Sequence, residues 1–333
     1  MNYKEYLKLP IRNDRKPLHE LLPLKQPLRV LIDPCDICNF RCNFCFQSKQ
    51  KFKGNKMTNQ VFDIIVKQLM EFEQPINVVH LFGLGEPLIN ENIANFVATL
   101  KENNVAKEVA ITSNGSLLNK ELSQMLIAAG LDRLSISLNG MNDEDFKKIV
   151  GVNVNFNKMY EQIKYFYDIR ESCHLHVKIN GDYFSEEEKE RFVYLFNDCT
   201  DSINIDHIVN VWPGLNVTEK NNYRMYDFDI EGLKNADKSR RPVCPLMFYE
   251  LLIHSDGTVS PCAVDYSYKE ENLGSVLHET LKEIWEGNQL LKMRRQALRG
   301  KKISYSICKD CQYTECAATV NITSFRDELL ERY

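Results

Sequence analysis

From residue 29 to about 209 the chain alternates short apolar runs with segments whose apolar residues recur every three or four positions. The runs RVLID (29–33), NVVHLFG (77–83), EVAITS (108–113), RLSISL (133–138), HLHVKI (174–179) and INIDHIV (203–209) are rich in Val and Ile. Their length and composition predict strands of a buried parallel sheet. Between them, Val61, Ile64, Ile65 and Leu69 mark a helix over 58–72, with Thr58 as its N-cap. Ile93, Phe96, Val97 and Leu100 mark another over 90–103. A third runs from Asn119 to a stop at Gly130, and two more fit 155–171 and 185–197. Strand–helix alternation of this kind implies right-handed crossovers and a site at the C-terminal ends of the strands. Six units are too few for a closed eight-fold barrel. An open partial barrel and a doubly wound sheet both fit.

The rhythm stops after residue 210. Residues 212–243 are polar and aperiodic and read as a linker, and residues 1–27 as an N-terminal extension. A compact module spans 244–320, and 321–333 forms a tail or terminal helix. Within the module, YELLIHSDGTVSPC (249–262) predicts a hairpin turning at Asp256-Gly257. ETLKEIWEG (279–287) predicts a short amphipathic helix.

Composition is ordinary for a globular protein, at 44% hydrophobic and 26% charged residues. The net charge of −4 gives no electrostatic case for nucleic acid. The charged N-terminus has no apolar signal core, and no stretch reaches membrane-spanning length, so a cytoplasmic protein is expected. Thiols stay reduced in that compartment, so eleven cysteines point to metal or redox chemistry instead of disulfides.

Four of those cysteines fall in CDICNFRCNFC (35–45), directly after the first strand. Cys38, Cys42 and Cys45 have C-x3-C-x2-C spacing, and three thiolates would leave one iron of a 4Fe–4S cube open. Zinc is the alternative, with Cys35 and Cys38 pairing against Cys42 and Cys45, although the gap between the pairs is tight for one tetrahedral site. Spacing alone leaves both metals open.

The segment Cys38–Cys45 resembles the CxxxCxφC signature of radical S-adenosylmethionine (SAM) enzymes, with Phe44 as the aromatic φ. GLGEP (83–87) resembles the family's GGEP motif, with Leu84 replacing a glycine. TSNGSLL (112–118) and SISLNG (135–140) resemble its TNG and SxDG-like segments, with Asn139 where Asp is frequent. The resemblance covers residues 28–211 and implies an α/β fold, a partial (β/α)6 TIM-like barrel. It further implies that Cys38, Cys42 and Cys45 bind a 4Fe–4S cluster whose open iron is chelated by SAM. One-electron reduction would then release a 5′-deoxyadenosyl radical that abstracts a substrate hydrogen. The electron donor implied is flavodoxin or ferredoxin.

On the same resemblance, Gly83 and Gly85 allow close backbone approach with unusual φ, and Glu86 accepts from the amino group of SAM. Ser113, Asn114 and Ser137 suit the ribose and carboxylate, and Phe44 lies near the adenine. Cys35 is extra to the motif.

Cys244, Cys262, Cys308, Cys311 and Cys316 lie in the C-terminal module. Two separated thiol pairs also suit zinc. Their layout resembles the SPASM/twitch extension of radical SAM enzymes. Five cysteines instead of seven imply a single auxiliary 4Fe–4S cluster on Cys244, Cys262, Cys308 and Cys311, leaving Cys316 spare. Cys173, Cys199, His176, His207 and His254 read as core or rim residues.

Asp265, three residues past Cys262, is the expected catalytic base. The 28 residues before the first strand are too few for a leader-recognition domain. The expected substrate is therefore a small polar molecule, such as a sugar, aminocyclitol or nucleotide sugar, undergoing dehydrogenation or epimerisation. A peptide-modifying enzyme and a zinc-stapled binding protein are the competing expectations.

Overall fold

Among the described residues, nine strands form one sheet in the order β6-β5-β4-β3-β2-β1-β7-β8-β9. The computed structural model describes residues 3–7, 16–49, 51–217, 242–316 and 320–333. Most of the expected linker, residues 218–241, lies outside the described residues.

Six parallel strands make the N-terminal part: β1 (Arg29–Ile32), β2 (Ile76–Leu81), β3 (Ala106–Ser113), β4 (Arg133–Leu138), β5 (His174–Asn180) and β6 (Ser202–Asp206). Each matches an expected strand to within a few residues. The helices Asn59–Leu69, Ile93–Glu102, Lys120–Ala128, Phe156–Ile169 and Glu186–Phe196 fill the crossovers. Thr58 and Asn119 cap their helices as expected, accepting from Val61 N and Leu122 N. Among the described residues, two helices of eight residues or more were not expected, Asn288–Leu298 in the C-terminal module and Asp143–Val150. The eight residues of Asp143–Val150 carry only two turns of periodicity, but local chemistry defines this helix: Asn142 caps it, three acidic residues fill its first turn, and Gly151 ends it at φ +71°.

The strands are not apolar on both faces. Val79, Leu81, Val109, Ile111, Leu134, Ile136, Leu175, Val177 and Ile179 join the main core. The alternate positions carry polar side chains paired between neighbouring strands. These pairs are His80 with Thr112, Glu108 with Arg133, His174 and His176 with Ser202, and Lys178 with Asp206. The inner wall of the partial barrel is therefore polar.

The C-terminal module continues this sheet. β7 (Glu250–Ile253) runs parallel to β1 with Arg29 opposite Glu250, and Arg29 pairs with the Glu250 carboxylate. β8 (Thr258–Ser260) returns antiparallel, forming the expected hairpin. Gly257 turns it at φ +85°, which a residue with a Cβ would resist. β9 (Gly274–Ser275) follows. The helices Leu281–Glu286 and Asn288–Leu298 complete the module. Residues Arg326–Arg332 form a terminal helix.

Candidate active site

The loop after β1 is held from four sides. Gln47 Nε2 donates to the carbonyls of Asp36 (2.9 Å) and Leu84 (2.8 Å). Asn90 Nδ2 donates to the carbonyls of Pro34 and Met57. The backbone amides of Arg41 and Asn43 donate to Val150 O (2.9 Å) and Ile149 O (3.0 Å), so the helix Asp143–Val150 is a support for this loop. Asn39 bonds Asn114 and Ser116 beyond β3. These contacts bring Cys38, Cys42 and Cys45 into one electrostatically coupled group. Burial raises all three thiol pKa values, to about 11 for Cys38. Buried thiols of this kind become good ligands once a cation compensates their charge. Phe40 N donates to Cys38 Sγ at 3.4 Å, and Asn139 Nδ2 lies 3.9 Å from Cys42 Sγ. Such N–H groups tune a metal centre. Cys35 stays apart, fully buried with its thiol on Ile37 O.

Gly83 and Gly85 sit against this loop. A Cβ on Gly85 would lie 2.2 Å from Cys35 O, and one on Gly83 would lie 2.3 Å from Asp33 Cγ. The expected close approach is therefore made to the cysteine loop. The expected unusual φ is not: neither glycine is among those with positive φ.

Glu86 is buried and already occupied. Its Oε1 accepts from Ser113 Oγ (2.7 Å) and Leu88 N (3.0 Å), and its Oε2 accepts from Asn114 N (2.7 Å). Burial pushes its carboxyl above the usual range, while these donors pull the other way. Glu86, Ser113 and Asn114 thus form one lock between the ends of β2 and β3. Ser137 sits on β4 opposite Lys178 of β5. Phe44 is half-buried beside Tyr183, with ring centroids 6.2 Å apart.

In the C-terminal module, Cys244, Cys262, Cys308 and Cys311 line one cavity with Leu246, Met247, Val264, Ile303 and Ile307. Burial pushes the thiols of Cys244 and Cys262 well up, and the neighbouring cysteines add to the shift. The side chain of Cys316 lies outside the described residues. A single zinc needs its sulfurs converging at about 2.3 Å from one point. Among the described residues no group of three or more His, Cys, Asp or Glu is arranged to hold a single metal ion. Two all-thiol sets, one of three and one of four in an apolar cavity, suit iron–sulfur clusters, whose thiolates bind different irons.

Asp265 departs from its expected role. It is fully buried and accepts from Ser260 Oγ (2.9 Å), Tyr305 Oη (2.7 Å), Ser267 N and Ser267 Oγ (both 3.1 Å). With its oxygens occupied inside the module, it has no lone pair turned toward a substrate. The residues that sequence reasoning missed are side-chain amides: Asn39, Gln47, Asn90 and Asn139. Only Asn39 and Asn139 carried a signal, because both lie inside motifs.

The model of the Radical SAM superfamily matches residues 32–193, and that of an iron–sulfur cluster-binding domain, SPASM, matches residues 244–312. The chain belongs to the radical SAM superfamily. These radical SAM and SPASM domains imply a 4Fe–4S cluster, an auxiliary cluster and SAM as cofactors. The chain is 32% identical over 203 residues to a probable GTP 3′,8-cyclase of Sulfolobus acidocaldarius, covering 60% of this chain and 61% of that protein. It is 31% identical over 177 residues to one of Saccharolobus islandicus, covering 53% of this chain and 54% of that protein. The match thus spans less than two thirds of either relative.

Among solved structures, BtrN in complex with AdoMet and 2-DOIA aligns at TM-score 0.55 and 16% identity, over 89% of this chain and 96% of that one. SuiB of Streptococcus suis bound to S-adenosylmethionine aligns at 0.64 and 17%, over 88% and 74%. The enzyme anSMEcpe with bound AdoMet and Cp18Cys peptide aligns at 0.60 and 16%, over 92% and 96%. At these identities the likeness is one of fold. No helix among the described residues is long and apolar enough to cross a membrane.

Proposed function

We propose that this radical SAM enzyme abstracts a hydrogen from a small, polar, hydroxylated substrate held against the inner wall of the partial barrel and oxidises it there. Cys38, Cys42 and Cys45 would hold the SAM-binding cluster. Cys244, Cys262, Cys308 and Cys311 would hold one auxiliary cluster. When bound, the two clusters supply one-electron reduction of SAM and one-electron oxidation of the substrate radical, whose hydroxyl proton would leave to water. Four cysteines on the auxiliary site leave it no open position, which suits electron acceptance better than substrate ligation. A flavodoxin or ferredoxin would be the reductant.

The observation that carries the substrate class is the row of polar side chains leading away from Cys42. Asn139 neighbours Cys42 Sγ, Asn180 Nδ2 donates to Asn139 Oδ1 (3.4 Å), and Asn180 lies opposite Asp206. Asp206 pairs with Lys178 at 2.7 Å, and its carboxylate also takes Asn204. Side chains offering both donors and acceptors in a low-dielectric lumen match hydroxyl and amino groups, and reject substrates that leave them unpaired. Ser137, Glu86, Ser113, Asn114, Gly83, Gly85 and Phe44 would frame SAM between this wall and the cysteine loop. Asp265 is not part of this proposal.

Anaerobic reconstitution should yield about eight irons per chain, as two four-iron clusters. Dithionite and SAM should then release 5′-deoxyadenosine, and Cys38→Ala should abolish it. Zinc without acid-labile sulfide would overturn the proposal. The relatives named GTP 3′,8-cyclase favour a second reading, in which the substrate is a nucleotide and the reaction a rearrangement. A product two hydrogens lighter than its substrate supports oxidation, and an isomeric product supports rearrangement.

A further inference from the structure

A buried polar chain joins the two cysteine-bearing regions. Asp36, two residues before Cys38, is fully buried. Its Oδ2 accepts from Tyr268 Oη at 2.7 Å, and its other oxygen takes the Asn55 amide. Tyr268 belongs to the C-terminal module and is itself fully buried. Its ring stacks on His254, with centroids 3.7 Å apart and planes 8° from parallel. His254 Nε2 lies 2.8 Å from Ser260 Oγ, which donates onward to Asp265 Oδ2 at 2.9 Å. Tyr305 Oη donates to the same oxygen at 2.7 Å.

The direction of these bonds fixes the imidazole. Because Ser260 gives its proton to Asp265, its oxygen accepts from His254, which therefore carries its hydrogen on Nε2. Burial lowers the His254 pKa to about 3, so the ring is neutral and its stacked partner remains a phenol. At the far end, Ser260 and Asp265 flank Cys262, and Cys308 N donates to Tyr305 O at 3.1 Å. The chain thus begins in the segment of the first three cysteines and ends among the second four.

We propose that Tyr268 is a positioning residue for the SAM-cluster loop, and that it makes the geometry of that loop depend on occupancy of the auxiliary site. Occupancy holds Cys262 and Cys308 in place. That order fixes Ser260, Asp265 and Tyr305, and through His254 it holds the Tyr268 hydroxyl on Asp36. Coupling of this kind needs contiguous packed and hydrogen-bonded groups, which these buried side chains supply. The same chain accounts for the buried Asp265 carboxylate, which the reaction does not use.

The inference rests on the assignment of Cys38, Cys42 and Cys45 to the SAM cluster, and the test separates the two. Four reconstituted full-length proteins are compared: the natural chain, Tyr268→Phe, an auxiliary-site variant (Cys262→Ala with Cys308→Ala), and the combination. Iron content, the electron paramagnetic resonance spectrum of the reduced protein with and without SAM, and the KM for SAM are read for each. An auxiliary-site variant lacking both about four irons and a SAM-sensitive spectrum would sink the cluster assignment itself.

With the assignment intact, Tyr268→Phe keeps the ring stack, both clusters and their iron. It shifts the SAM-bound spectrum and raises the KM for SAM about tenfold, the scale of one lost buried hydrogen bond. In the auxiliary-site variant, which already shows that spectrum and KM, adding Tyr268→Phe changes the KM less than about twofold. Full additivity of the two effects, or a natural spectrum and KM for Tyr268→Phe, would overturn the proposal. Should Tyr268→Phe fail to take up iron, Ser260→Ala carries the same comparison, since it cuts the chain without touching Asp36.

Discussion

Glu86→Gln probes the lock at the ends of β2 and β3. The carboxylate accepts from two donors on Oε1, Ser113 Oγ and Leu88 N, and from Asn114 N on Oε2. A glutamine offers one oxygen and one NH2 group. With its oxygen at the Oε1 position, the NH2 faces the Asn114 amide. In the flipped orientation it faces the Leu88 amide, and the Ser113 hydroxyl must turn around. In both orientations a buried backbone N–H meets another donor. An unsatisfied buried donor costs about 1–3 kcal/mol, and the surviving bonds lose roughly half their strength with the charge. Part of this is offset, because burial already disfavours the charged carboxylate. A net loss of about 2 kcal/mol follows from these terms. Equilibrium urea unfolding of the metal-free chain should show a lower midpoint at unchanged m-value. Asn114 also bonds Asn39 in the cysteine loop, so the KM for SAM should rise in the reconstituted enzyme. A stability within about 0.5 kcal/mol of the natural chain would refute the argument.

Three further outcomes follow from the same site. The carboxyl of Asp33 is pushed up to about 7, chiefly by burial with Asp36 adding, so the folded chain keeps a proton that the unfolded chain releases near 3.8. Stability should therefore fall as pH rises from about 4 to 7 and level off above, and Asp33→Asn should flatten that slope in denaturant titrations. Gly85→Ala would set a Cβ 2.2 Å from Cys35 O and 2.5 Å from Ile37 O, so backbone must move. It should cost about 1–3 kcal/mol and cut 5′-deoxyadenosine release about a hundredfold at full iron content, through misplacement of the loop. Unchanged release would contradict that placement. Asp206→Asn alters the polar wall away from the cysteines. It should lower formation of the modified substrate about tenfold while SAM cleavage continues, an uncoupling visible in the ratio of 5′-deoxyadenosine to product.

Some of this architecture was legible because its cause is local. The C-x3-C-x2-C loop needs only a few consecutive residues to gather its thiols, so spacing alone announced it. The hairpin at Asp256-Gly257 is likewise fixed by a glycine at positive φ. The helix Asp143–Val150 escaped notice because two turns give too little periodicity, although its cap and terminal glycine were visible. The polar inner wall was hidden by apolar neighbours on alternate positions. Strands rich in Val and Ile read as buried throughout, when one face carries His80, Lys178 and Asp206. Asp265 looked like a base because sequence shows a carboxylate beside a cysteine and not the hydroxyls of Ser260 and Tyr305 that occupy it.

The sequence by itself determined the alternation of strands and most helices and the two thiol sets, since each follows from local periodicity or spacing, and its motifs carried the resemblance to the superfamily. Only the tertiary structure decided that β7 would extend the sheet beside β1 and that Tyr268 would meet Asp36 across 232 positions of chain. Those contacts join segments whose separation in sequence carries no record of their meeting. Burial of both sheet faces and satisfaction of an enclosed carboxylate select them, and these conditions exist only once the whole sheet has formed.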